Sequence, residues 1–159
     1  MIYLYDHTES LEKEYGITGP LAFDYGPYGK PSLRDYPHIH FNLSHCPHTA
    51  LCVVGDTPVG CDIETVPSSL DMDICRHVFN PQELNSLLSA PSPAVAFASL
   101  WTQKEAFLKF TGEGMAHDLK DLLLSPRALS VSFETVVSPD RTYLYTVCRP
   151  KFYKISLAI

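Results

Sequence analysis

The chain has 159 residues, 45% of them hydrophobic, and a net charge of −6, enough apolar material for one core or two packed halves and too much for disorder. Its basic residues are scattered, so the positive stripe that neutralises a nucleic-acid backbone is missing and no nucleic-acid partner is expected. Five cysteines, Cys46, Cys52, Cys61, Cys75 and Cys148, contain no C-x-x-C pair, which suits free, core-filling thiols in a reducing cytoplasm.

Met1 to His7 lacks the parts of a secretory signal and is expected as a first strand. Leu21 to Leu33, rich in Gly, Pro and Tyr, suits a turn or exposed loop. His38 to Leu43 alternates polar and apolar residues and Thr49 to Val54 is apolar and β-branched, so both are predicted strands. The turn Gly55-Asp56-Thr57-Pro58 is expected to return the second of these into Val59 to Glu64 as a β-hairpin.

Asn80-Pro81-Gln82-Glu83 supplies a cap, an N-terminal proline and an acid in the first turn, predicting a helix to about Ser89. Ser92-Pro93 starts a second helix, with Phe97, Leu100, Trp101 and Leu108 at helical spacing and Gly112 and Gly114 as its stop. The uncharged run Leu84 to Gln103 is interrupted by Pro91 and Pro93, which makes it two helices rather than a membrane span. From Leu129 the alternation returns and continues to Ile159, with turns near Ser138-Pro139-Asp140 and Arg149-Pro150. The predicted class is α+β.

Asp62 and Glu64, two apart on a predicted strand, leave the same face and offer hard oxygen ligands. Magnesium suits such a pair, because it takes one or two protein carboxylates together with substrate phosphate oxygens. A solvated strand end is the alternative for this pair alone. Glu105 and Lys109, four apart, share a helical face, which in isolation describes a surface ion pair; Lys104, a third of a turn away, could aim a second amine at the same cleft. His45 follows Asn42-Leu43-Ser44 at a strand end, and a zinc site with His40 and His48 lacks the usual ligand spacing.

Gly29-Lys30-Pro31, Phe41-Asn42-Leu43-Ser44-His45, Gly60-Cys61-Asp62-Ile63-Glu64 and the run from Trp101 through Lys104, Glu105 and Ala106 to Lys109, followed by Gly112-Glu113-Gly114, stand in one order. Together they resemble the Sfp-type 4′-phosphopantetheinyl transferases of the holo-acyl-carrier-protein synthase superfamily: a G-K-P loop, an F-N-x-S-H segment, a G-x-D-x-E motif, a W-x-x-K-E-(A/S)-x-x-K helix and a G-x-G stop. The resemblance implies a pseudo-dimer of two similar α+β halves, here 1–58 with an abbreviated first half and 59–159, with the site between them. It implies magnesium on Asp62, Glu64 and Glu105, with Glu105, or a metal-bound water beside it, also taking the proton of the attacking serine. Coenzyme A would lie on Lys30, Ser44, His45, Lys104 and Lys109, with Lys109 also counted as catalytic. The reaction would transfer phosphopantetheine from coenzyme A to a serine of an apo acyl or peptidyl carrier protein, releasing 3′,5′-ADP.

The free thiols suit the cytoplasm and the proline-interrupted helices give no membrane partner, and a monomer is expected. A carrier-docking surface is expected at Met115 and Leu119, rimmed by Lys120 and Arg127. The family's G-K-P loop lies further from the N-terminus, behind basic residues that hold the nucleotide, whereas Lys13 is the one basic residue before Lys30 here. A weak or inactive homologue that binds coenzyme A or carrier protein is therefore the alternative, beside the shorter trimeric synthase type and a magnesium phosphohydrolase.

Overall fold

The computed structural model describes residues 2–3, 13, 15–114 and 118–151. Met115 of the expected docking surface, most of the expected first strand and the tail after residue 151 lie outside them. In chain order the strands are β1 (Ile2–Tyr3), β2 (Phe23–Tyr25), β3 (Pro31–Leu33), β4 (His40–Cys46), β5 (Thr49–Gly55), β6 (Gly60–Thr65), β7 (Val131–Val137) and β8 (Tyr143–Pro150). The helices are α1 (Met72–Val78), α2 (Pro81–Leu88), α3 (Pro93–Thr111) and α4 (Pro126–Leu129), with a 3-10 turn at Leu122–Leu124.

The strands form sheets of order β1-β5-β4, β2-β3 and β6-β8-β7, with every pairing antiparallel. The expected hairpin between the strand at Thr49 and that at Val59 does not form. The tight hairpin is β4–β5, closed at Cys46↔Thr49, and β6 instead pairs with β8 from Gly60↔Cys148 to Thr65↔Tyr143. The reason lies in the edges of β5: β4 occupies one and β1 the other, so the chain leaves that sheet through Gly55-Asp56-Thr57-Pro58 and begins a new one. β5 is buried on both faces, with Cys52 and Val54 in one apolar cluster beside Ile17, Leu33, Ile39 and Phe41, and Leu51 and Val53 in another beside Val59, Cys61, Ile63 and Val147. A strand with two buried faces reads as a continuous apolar run.

The segment Leu21 to Leu33 is partly a ladder: β2 and β3 pair at Phe23↔Leu33, and the glycine-rich turn between them closes through Gly26 N–H donating to the Lys30 carbonyl at 2.9 Å. β8 runs straight through Arg149-Pro150, where a turn was expected. Helix α1, which no expectation covered, begins at Asp71, whose carboxylate accepts from the amides of Asp73 and Ile74.

Helix α2 has the expected capping box, Asn80 with Glu83, and Pro81 in its first turn. Helix α3 stops at Gly112, whose φ of 73° is the left-handed value that glycine adopts without strain. Its small residues Ala98, Thr102 and Ala106 are buried, and it packs on β6 and β8. Gly60 allows that approach, because a Cβ there would collide with the Ala106 carbonyl and the Phe110 amide. The four thiols Cys52, Cys61, Cys75 and Cys148 are buried and unpaired, and burial pushes the Cys52 thiol up to about 11 and that of Cys148 up to about 12. No described helix is long and apolar enough to cross a membrane.

Candidate active site

Two edge strands, β4 and β6, run side by side in the same direction, joined by side chains rather than a backbone ladder. Asn42 Oδ1 accepts from Cys61 N–H at 2.8 Å, and two residues on Ser44 Oγ accepts from Ile63 N–H at 3.3 Å. These amides point away from β8, so the clasp satisfies donors that an uncovered edge would leave bare. The F-N-x-S spacing matches the two-residue period of β6.

The clasp brings β4 against the acids of β6, and α3 closes the cleft from the other side. Leu43, Ser44, His45, Asp62, Glu64, Trp101, Glu105 and Lys109 line it, and a second hollow continues from Glu105 and Lys109 to Tyr28, Gly29 and Gly114. Trp101, Glu105 and Lys109 recur at intervals of four on α3 and so share a face. Lys109 Nζ donates to Asp62 Oδ1 at 2.6 Å and to Ser44 Oγ at 2.9 Å, and Ser44 Oγ donates to the same Asp62 oxygen at 2.7 Å. Asp62 Oδ2, by contrast, is buried without a hydrogen-bond partner. Trp101 Nε1 donates to Glu64 Oε1 at 3.2 Å.

The field in the cleft is negative. Burial, then the neighbouring Asp62 charge, raises the Glu64 carboxyl above its usual range, and the same two causes in the same order raise Glu105, to which Glu64 adds. The Lys109 ammonium works against both shifts. Three carboxylates facing one ammonium form an incomplete set that a divalent cation would complete. Among the described residues no three His, Cys, Asp or Glu side chains form a preformed metal cage.

Asp62, Glu64, Glu105, Lys109, Ser44 and His45 are therefore brought together; Lys104 is not. A third of a turn carries it to the opposite flank of α3, where its side chain is 1% exposed and its amine bonds Glu83 Oε2 at 2.9 Å and the carbonyls of Leu119 and Lys120. This corrects the expectation of a second cleft amine: α2 supplies a buried carboxylate that captures it. Lys30 lines the second hollow, yet its amine donates to the carbonyls of Val59 at 3.2 Å and Phe110 at 3.0 Å, tying the G-K-P loop to the start of β6 and the end of α3. Burial accordingly lowers its affinity for a proton. His40 lines a different cavity from His45. Leu119 is half-buried, Lys120 and Arg127 are exposed, and Arg127 pairs with Glu113.

The missed features are the Asn42 clasp and the Trp101 bond to Glu64. The matching two-residue periods of Asn42/Ser44 and Cys61/Ile63 were the available signal for the first; nothing local announces the second.

Residues 58–151 match the family model of the 4′-phosphopantetheinyl transferase superfamily. The chain is 40% identical over 101 residues to the 4′-phosphopantetheinyl transferase psf-1 of Bacillus pumilus, covering 62% of this chain and 43% of that one. It is 36% identical over 110 residues to the 4′-phosphopantetheinyl transferase Sfp of Bacillus subtilis (67% and 48% covered). With the 4′-phosphopantetheinyl transferase ffp of Bacillus subtilis it shares 30% over 148 residues, 91% of this chain and 63% of the relative. The chain thus spans about half the length of the first two and nearly two thirds of the third. With a match that takes in β6, all of α3 and the closing β7–β8 pair, the chain belongs to the 4′-phosphopantetheinyl transferase superfamily.

Proposed function

We propose that this chain transfers the 4′-phosphopantetheine group of coenzyme A to a serine of an apo acyl or peptidyl carrier protein, with magnesium as its cofactor and 3′,5′-ADP as the second product. One observation carries this: the partnerless Asp62 Oδ2 is buried in a cleft shared with Glu64 and Glu105, a donor set suited to a hard cation bridged to phosphate. The family model matches residues 58–151, which carry all three of these acids.

Asp62, Glu64 and Glu105 would hold the magnesium, which supplies charge neutralisation for a pyrophosphate. Asp62 is fixed by Ser44 and Lys109, so one of its oxygens is committed and the other is left for the ion. Lys109 has three N–H donors and uses two of them on Asp62 and Ser44, leaving one for a phosphate oxygen. Glu105, its carboxyl raised by burial and by Asp62, takes the proton from the carrier serine hydroxyl as that oxygen attacks the phosphorus bearing pantetheine. The bond to the adenylate phosphate breaks and 3′,5′-ADP leaves. His45, exposed at the cleft rim, would face the 3′-phosphate of the nucleotide. Lys30 serves by holding the G-K-P loop in place.

We take the sheets β1-β5-β4 and β6-β8-β7 as the cores of the two pseudo-dimeric halves, divided near residues 58 and 59, in a cytoplasmic monomer. The test is intact-mass spectrometry of apo acyl carrier protein incubated with the chain, coenzyme A and magnesium. A gain of one phosphopantetheinyl group is expected, with initial rates at least roughly a hundredfold lower for Glu105→Ala. No gain on any carrier, alongside measurable coenzyme A binding, would replace the transferase with a binding protein.

A further inference from the structure

The cavity lined by His40 takes no part in the transfer proposed above. Its volume is about 470 Å³, within the range of small-molecule sites, and none of Asp62, Glu64, Glu105 and Lys109 borders it. Leu33, Ile39 and Phe41, all buried, give it an apolar floor. Its polar groups are basic. The half-buried His40 ring has no hydrogen-bond partner among the described residues, and the Lys30 amine meets two backbone carbonyls and no carboxylate. Arg34 engages Asp24 Oδ1 through Nε and Nη2, each at 2.9 Å, which leaves Nη1 free of described partners. Asp24, the one acid on the wall, is thereby neutralised. We infer that this cavity is a second ligand site, which takes an apolar molecule bearing a carboxylate.

Each wall group suits that chemistry. The apolar floor removes a hydrocarbon body from water. Burial, then the Lys30 charge, lowers the affinity of His40 for a proton, and a neutral imidazole still offers one N–H. Arg34 Nη1 adds two donors of the kind that bond a carboxylate strongly. An anion beside Lys30 supplies the counter-charge that its burial lacks. An amine of the same shape would meet like charge here, and an alcohol would leave the cations unmatched. Occupancy also has a route to the cleft. Lys30, Pro31 and Gly112 line both this cavity and the hollow beside Glu105, and the Lys30 amine holds the G-K-P loop to the carbonyls of Val59 and Phe110. A carboxylate that draws this amine toward itself loosens the loop, so the bound ligand lowers coenzyme A affinity without occupying the coenzyme A site.

The test titrates the full chain with octanoate, and with octanol as an uncharged control of equal chain length, with and without coenzyme A. Binding is followed by saturation-transfer NMR and by the ring-proton shift of His40, assigned by its loss in His40→Gln. Octanoate should bind saturably and move the His40 resonance, with octanol at least roughly tenfold weaker. Arg34→Gln, at an exposed position where folding is not at stake, should weaken octanoate roughly tenfold, the scale of one hydrogen bond to a charged group. Coenzyme A should bind alongside octanoate with reduced affinity. Absence of saturable binding, octanol binding as well as octanoate, or unchanged octanoate affinity in both Arg34→Gln and His40→Gln would overturn the inference. Complete displacement of octanoate by coenzyme A would also overturn it, by making the cavity part of the transfer site. Since binding is read without turnover, the outcome is separate from that of the carrier-modification assay.

Discussion

Helix α3 carries two lysine–carboxylate pairs, one on each flank. On the flank facing α2, Lys104 and Glu83 are 2.9 Å apart with side chains 1% and 13% exposed. That pair is complete: Lys104 also donates to the carbonyls of Leu119 and Lys120, and Glu83 Oε2 also accepts from Asn80 N–H, closing the helix cap. On the flank facing β6, Lys109 and Asp62 are 2.6 Å apart with side chains 31% and 4% exposed. That pair is unfinished, with an orphaned Asp62 oxygen and two further carboxyls facing the same ammonium. Buried polar groups in folded proteins find partners, so the flank that lacks them is where a ligand is expected to supply them.

Exchanging the two lysines for methionine separates the flanks most sharply. Lys104→Met strands a buried carboxylate and two carbonyls, and should cost about 3–5 kcal/mol, a fall in Tm of roughly 10 °C for a chain of this size. Added magnesium should not recover it. Lys109→Met should lower the transfer rate roughly a hundredfold through loss of one preorganised donor, and such stability as it loses should return with magnesium, since the cation supplies charge to the same carboxylate. Calorimetry with and without the ion, beside the carrier-modification rate, reads both. Magnesium rescue of Lys104→Met would abolish the distinction between the flanks.

The next effect concerns pH. Folding raises the carboxyls of Glu64 and Glu105 above the ordinary value of 4.5, so in that window the folded protein binds more protons than the unfolded chain. Stability from these groups is therefore fully present below the ordinary value and is lost as pH rises through the raised one. The ion competes with those protons and opposes the loss. At pH 7.5, with magnesium at about a hundred times its dissociation constant, the gain should be about 2.7 kcal/mol, some 5–10 °C in Tm. It should shrink toward pH 5, as thermal scans at both values would show; an equal or larger gain at pH 5 would remove the acids from the ion's site.

This contrast was half legible in the sequence. The two-residue period put Asp62 beside Glu64, and the four-residue period put Glu105 with Lys109, because strand and helix geometry fix which neighbours share a face. Caps and glycine stops located α2 and α3 for equally local reasons. Local geometry does not say which strand takes which edge, so β6 was assigned to β5 when β1 and β4 already fill both edges of that strand. Nor does it say toward which flank Lys104 turns, since that depends on Glu83, twenty-one residues earlier. The clasp between Asn42, Ser44 and β6 is likewise a contact between two sheets, and its spacing acquires meaning once the strands are known to lie side by side.

The smallest expected effect lies where the two flanks meet. Trp101 stacks on Phe97, with ring centroids 6.5 Å apart and planes 3° apart, and Phe97 meets Phe79 edge-on at 5.6 Å. Lys104 Nζ sits 5.6 Å over that same Phe79 ring. The aromatic row thus begins in the completed flank and ends with Trp101 Nε1 on Glu64, so the rigid side of the molecule orients one carboxylate of the other. Trp101→Phe keeps the stack and removes only the donor; it should lower cation affinity roughly tenfold, the low end of the effect of removing a group that orients a metal ligand, and leave Tm nearly unchanged. Because Trp101 is the chain's single tryptophan, its fluorescence reports the same contact directly. Magnesium should shift the emission of the wild-type protein, and the shift should be lost in Glu64→Gln while folding is retained. A shift that survives in Glu64→Gln would mean that the ion is felt through α3 as a whole and that the indole acts as a packing residue alone.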